Sequence, residues 1–191
     1  MAEPQDILDF WFGAPGSPEC AGPRKIWFKS DASFDSACRE NFAALSAEAR
    51  EGALDHWRES AEGALALVLL LDQMPRNIHR GSALAFACDA KARWAAREAV
   101  ARGFDRDLPP HRRQFLYLPF EHSENLADQE EGLHLFGSLP EGEHRERQLD
   151  YARRHQVVIA RFGRFPHRNV ALGRVSTAEE EAFLASPTAP Y

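Results

Sequence analysis

The sequence predicts an all-α fold, and three observations carry that reading. Apolar residues recur at three- and four-residue steps, glycines and prolines fall at the ends of those runs, and alternating strand patterns are scarce. Helical runs joined by short loops predict stacked helical hairpins, arranged as a compact bundle or a short solenoid. The 191 residues fit one domain, 1–191, with a loose tail at about 186–191.

The elements follow in order. Asp6 to Phe12 reads as a short helix behind Pro4, closed by Gly13 and followed by a proline-rich loop from Ala14 to Gly22. Ser33 to Glu51 places Phe34, Cys38, Phe42 and Leu45 on one helical stripe, with Ser33 as the capping residue and Gly52 as the stop. After a short piece around Leu54 to Trp57, residues 61–73 are apolar on almost every side, which predicts a central helix. Burial of Leu65, Leu67, Val68, Leu69, Leu70 and Leu71 is worth roughly 9–18 kcal/mol before chain entropy is set against it.

Ser82 is the predicted cap of an alanine-rich helix to about Arg102, with Gly103 behind it. Asp105 to Pro110 breaks the chain, and a short turn leads into a helix from Leu116 to Phe136. A loop with Pro140 precedes a helix over 144–162 that Gly163 ends, and Pro166 opens an irregular stretch. Ser176 or Thr177, with Glu179 or Glu180, forms a capping box for a last helix.

Composition narrows the function classes. Four Trp, thirteen Phe and 44% hydrophobic residues argue for a folded core, and the net charge of −6 gives nucleic acid no electrostatic attraction. Cys20, Cys38 and Cys88 form no disulfide framework or zinc ribbon. The start is acidic where a secretory signal would be basic, and the longest apolar run, Ala64 to Leu71, falls well short of the about 20 residues a membrane span needs. These features predict a cytosolic protein that engages no membrane.

The polar chemistry gathers at helix ends. In "LLLDQMPRNIHRG" a hydrocarbon helix finishes in Asp72, Gln73, Arg76 and Asn77 around Pro75. On a wheel of the helix from Phe120, His122 and Gln129 fall inside the arc of Leu126, Leu133 and Phe136. On the helix from Leu149, His155 falls near the centre of the arc of Tyr151, Ala152, Val158, Ile159 and Phe162. An antiparallel hairpin about the loop near 140 sets residue 122 opposite about 158, so His122 and His155 approach within a turn. The same geometry turns Arg161, Arg164, His167 and Arg168 toward Glu121 and Glu124. Such a set is either an ion-pair clasp or a site that grips an anion with arginine forks. If 105–117 crosses back along the fold, Asp72, Gln73, Arg76 and Asn77 join the same pocket. "EEGLH" sets Glu131 and His134 at Glu-x-x-His spacing, but "EGEH" at 141–144 falls in a loop, so no metal site and no cofactor are predicted.

Five stretches, "ILDFWFG", "LLLDQMPRNIHRG", "FLYLPFEHSENLADQE", "LDYARRHQVVIARFGRFPHRN" and "LGRVSTAEEEAFL", resemble in order and over nearly the whole chain the bacterial family known as domain of unknown function 924. The resemblance implies a helical fold similar to tetratricopeptide repeats and implies no activity. Met74 stands where the family pattern has Phe, a swap of similar volume.

Three functions compete on this reading. The first is binding of a small anionic ligand or peptide in a polar pocket built from Asp72, Gln73, Arg76, Asn77, Glu124, Arg164, His167 and Arg168. The second is an enzyme with His122 or His155 as general base, Glu121 as its orienting carboxylate and arginines as anion clamps. The third is a structural Arg-Glu-His clasp in a protein-interaction scaffold. No nucleophile elbow, phosphate loop or zincin motif supports a named reaction.

Overall fold

A computed structural model describes residues 2–186, and among them it contains helices and no strands. The five residues 187–191, which carry most of the expected loose tail, lie outside the described residues. The chain is all-α, as its periodicity predicts. It groups into two compact units, one of Met1–Arg80 with Leu84–Pro119 and one of Gly81–Ala83 with Phe120–Tyr191. No helix among the described residues is long and apolar enough to cross a membrane.

The first unit opens with α1 (Pro4–Phe12), where Glu3 and Asp6 form a capping box and Ile7, Leu8, Trp11 and Phe12 are buried. Its last carbonyls are taken by side chains. Arg24 Nη1 donates to Phe10 O and Trp11 O at 2.9 and 2.7 Å, and Trp27 Nε1 donates to Trp11 O at 2.7 Å. Helix α2 (Ala32–Glu51) starts one residue before the expected span, because Asp31 rather than Ser33 caps it and accepts from the Ser33 and Phe34 amides at 3.0 Å each.

The central helix runs further than its sequence predicts. Helix α3 (Ala61–Val68) passes through a π-helical segment (Leu69–Gln73) into α4 (Met74–Ile78), with Pro75 inside the run. Proline lacks the N–H that would bond one turn back, and its ring crowds that carbonyl, so an α-helix ordinarily kinks or stops there. Here the wider π turn just before Pro75 relieves the crowding. The Ser46 hydroxyl donates to Leu70 O within that turn at 2.9 Å, giving one of its carbonyls a partner. Leu65 to Leu71 are all fully buried, so side-chain packing holds the distorted run in place. Gly63 answers a steric need, since a Cβ there would fall 2.1 Å from Trp57 O.

Helix α5 (Asp89–Ala101) begins seven residues after Ser82, which does not cap it; a 3-10 turn (Ala83–Phe86) intervenes. Helix α6 (Pro110–Glu121) carries Pro119 near its end, and α7 (Leu126–Gly137) starts afresh with Asn125 as its cap. The single helix expected from Leu116 to Phe136 is therefore two. The Asn125 side chain accepts from Ala127 N at 2.9 Å and the Ser123 hydroxyl accepts from Asn125 N at 3.2 Å, a local arrangement that competes with continued helix.

In the second unit α7 and α8 (Glu143–Phe162) form the expected hairpin, and Gly163, at φ +67°, ends α8. Gly132 lets α7 approach the end of α6, as a Cβ there would lie 3.2 Å from Phe120 Cβ. Val158, Ile159 and Phe165 form an apolar cluster, with Phe162 and Phe183 packed against it. Helix α9 (Ala178–Leu184) starts at the predicted capping box, formed by Thr177 and Glu180.

Candidate functional site

The expected site residues lie in both units. Asp72, Gln73, Arg76 and Asn77 belong to the first, where the π segment and α4 present them to α2 and α5. Asp72 is fully buried; Gln73 Nε2 donates to its Oδ2 at 2.6 Å and Arg76 Nη1 lies 3.2 Å from its Oδ1. Arg76 also forks onto Asp89, with Nη1–Oδ1 and Nη2–Oδ2 distances of 2.9 and 3.1 Å. Burial works against the Arg76 charge, but Asp72 and Asp89 outweigh it and raise the guanidinium pKa. Asn77 donates to Gln73 O at 3.1 Å and accepts from Arg80 Nη2 at 3.2 Å, while Arg80 forks onto Asp35 at 2.7 and 2.8 Å. The polar end of the hydrocarbon helix thus ties α4 to α2 and α5.

The second unit brings together Glu121, His122, Glu124, His155, Arg164, His167 and Arg168. The last turn of α6 leaves carbonyls without intrahelical partners. Gln129 Nε2 donates to Glu121 O and Ser123 O at 2.5 and 2.8 Å, and Arg168 Nη2 donates to His122 O between them at 3.0 Å. The Glu121 side chain turns to α8, where its Oε1 lies 3.3 Å from His155 Nδ1, and that nitrogen also lies 2.9 Å from Tyr151 O. Two acceptors at Nδ1 favour the tautomer with its proton there, which makes Nε2 the basic nitrogen.

Phe165 is fully buried at the centre of this group. The Arg168 guanidinium sits 4.6 Å over its ring, and the His155 and His167 rings lie with centroids 5.6 Å from it. Glu124 accepts from Phe165 N at 2.8 Å and takes a fork from Arg174 at 2.7 and 2.9 Å. Burial pushes the Glu124 carboxyl up, but the hydrogen bonds from Arg174 and Phe165 N outweigh it and leave the pKa lowered. Arg164 forks onto Glu180 at 2.6 and 2.8 Å. Those bonds, with the one from Thr177 N, lower the Glu180 pKa to about 2.

The expected hairpin geometry places the right segments together and changes some partners. Glu121 meets His155, the pairing expected of an orienting carboxylate. Arg164 pairs with Glu180 of α9 rather than with Glu121 or Glu124, and Arg161 pairs with Glu179 at 2.8 Å. The partner of Glu124 is Arg174, which sequence reasoning passed over; nothing local marks it, because its role depends on the turn at Gly173, φ +64°. Glu180 carried a usable signal, since a capping-box glutamate is already committed to one backbone amide. Among the described residues no group of three or more His, Cys, Asp or Glu is placed to hold a metal ion. Cys38 and Cys88 are buried thiols and Cys20 is half-buried.

Fold and site together define a helical protein with polar networks at its helix ends and no membrane-crossing helix among the described residues. The chain belongs to the family described as bacterial protein of unknown function (DUF924), which it matches over residues 7–188. It is similar to the solved structure of a protein of unknown function, ATU0120, from Agrobacterium tumefaciens, with 42% identity and a TM-score of 0.84 over 95% of this chain and 96% of that one. No curated protein matches the chain.

Proposed function

We propose that the second unit binds a small anionic ligand, a carboxylate or a phosphate, beside Phe165. The observation that supports this reading is the grouping of Arg168, His155 and His167 around one buried ring. A guanidinium and two imidazoles gathered at one ring offer an anion a planar donor and ring N–H groups. The forks of Arg164 and Arg174 are occupied by Glu180 and Glu124, so these two arginines shape the site rather than bind the ligand. The same holds in the first unit for Arg76, whose fork is filled by Asp89.

The test is thermal unfolding of wild type with added succinate or orthophosphate at pH 6 and pH 8. A ligand that binds the folded chain at about 100 times its Kd stabilises it by about 2.7 kcal/mol. The expected result is a Tm that rises with either anion, with Arg168→Gln weakening the effect. Equal Tm with and without anion at both pH values overturns the proposal. The Glu121–His155 pair favours a second reading, in which His155 Nε2 acts as a general base on the bound ligand.

A further inference from the structure

We propose that the chain from Arg164 to Leu184 is a strap that opens as one unit while the α7–α8 hairpin stays folded, with Asn169 as the side chain that joins its two ends. The inference is independent of any ligand beside Phe165.

Helix α9 is seated by charge. Among its described residues only Glu180 is buried, at 2% exposure, while Leu184 is 38% exposed. A surface helix is ordinarily fixed by an apolar stripe along its length. Here one carboxylate does most of that, taken by the Arg164 fork at 2.6 and 2.8 Å and by Asn169 Nδ2 at 3.3 Å. Without that seat, the main ties of α9 to α8 are the Phe183 ring, 5.2 Å from Phe162, and the exposed Arg161–Glu179 pair.

The same carboxylate is linked to the Phe165 turn. Asn169 is fully buried; its Nδ2 donates to Glu180 Oε2, and its Oδ1 accepts from Arg174 Nε at 2.9 Å. Arg174 forks onto Glu124 and donates from Nη2 to Phe165 O at 3.0 Å, and Glu124 accepts from Phe165 N at 2.8 Å. Side-chain hydrogen bonds therefore run unbroken from Glu180 to Phe165. Apart from the 3-10 turn at Pro166–Arg168, no helix supports the chain between Gly163 and α9. When Glu180 leaves, the buried Asn169 amide loses an acceptor that fixes it, and Arg174 loses a firm seat, so the turn loosens with the helix. Release takes Phe183 off the cluster of Val158, Ile159 and Phe165 and bares apolar surface that the closed chain hides.

The experiment is residue-resolved amide hydrogen exchange. The strap is read at Phe165, Arg174 and Glu181, whose amides bond to Glu124 Oε1, Asn169 O and Thr177 O, and the hairpin at Val158 and Ile159 inside α8. In wild type the three strap amides are expected to share one protection factor, at least about tenfold below that of Val158 and Ile159. Glu180→Gln is expected to speed all three about tenfold, the factor that loss of one hydrogen bond to a charged group supports, and to leave Val158 and Ile159 unchanged. Glu124→Gln, at the other end, is expected to speed Glu181 as well, because coupling is reciprocal. With Asn169→Leu in place, Glu180→Gln is expected to speed Glu181 alone. If a variant does not fold, the wild-type pattern decides. Strap amides that exchange together with Val158 and Ile159, or a Glu180→Gln effect that stops within α9 while Asn169 is intact, overturn the inference. Coupling that survives Asn169→Leu removes Asn169 as the joining side chain and overturns that half of it.

Discussion

The two units use charged side chains for different ends. In the first, the Asp72–Arg76–Asp89 group closes a helix whose apolar residues from Leu65 to Leu71 are all buried, so the backbone is already satisfied by its own hydrogen-bond ladder. In the second, the chain between Gly163 and Thr177 is largely irregular. Its backbone groups must find partners elsewhere. Glu124 takes Phe165 N, Arg174 donates to Phe165 O, and Arg164 donates to Val175 O. The Asp72–Arg76–Asp89 charges lock helices that packing has already placed; between Gly163 and Thr177 charges do the work that a helical ladder does elsewhere.

Arg76→Ala tests the first half of this contrast and carries the largest expected effect. It leaves the Asp72 carboxylate, fully buried, without its counter-charge. Breaking a buried pair from one side typically costs about 3–5 kcal/mol, and urea unfolding should read a loss in that range. A loss below about 1 kcal/mol would mean that Asp72 is neutral or solvated, and the idea of a locked charge in the first unit would go.

Acid unfolding probes the second half. The Glu180 pKa is lowered to about 2 from an ordinary value of 4.5, so its contribution is fully present above about pH 4.5 and is lost as pH falls toward about 2. Glu124 is lowered as well and titrates in the same direction. Wild type should therefore lose Tm steadily across this window. Glu180→Gln should start lower at pH 6 and converge on wild type as the carboxyl protonates. Parallel curves for the two proteins would show that Glu180 does not fasten α9 through its charge.

The contrast also explains which features the sequence made legible. The capping box of α9 was readable because its two members sit three residues apart and answer to local rules. The path through Pro75 was not, because a proline is a local stop signal and only burial of the whole run overrides it. The break at 122–125 was hidden by Leu126, Leu133 and Phe136, whose spacing suits a continuous helix, although Leu126 is 42% exposed. The pairing of segments was legible from hairpin geometry. The pairing of individual arginines was not, because it depends on how an irregular chain folds back from Gly173.

The smallest expected effect sets the floor of the comparison. Arg161 and Glu179 bond at 2.8 Å, as short as the buried forks, but their side chains are 50% and 63% exposed. Water screens such a pair and ordering two long side chains costs entropy, so exposed ion pairs contribute about 0–1 kcal/mol. Arg161→Ala also removes a guanidinium that lies 4.7 Å over the Phe162 ring, another contact of about 0.5–1 kcal/mol at an exposed site. Arg161→Met keeps most of the packing and removes the charge, so it should unfold within about 0.5 kcal/mol of wild type in urea. If it instead costs as much as Arg76→Ala, contact distance rather than burial governs these networks, and the distinction between the two units loses its physical basis.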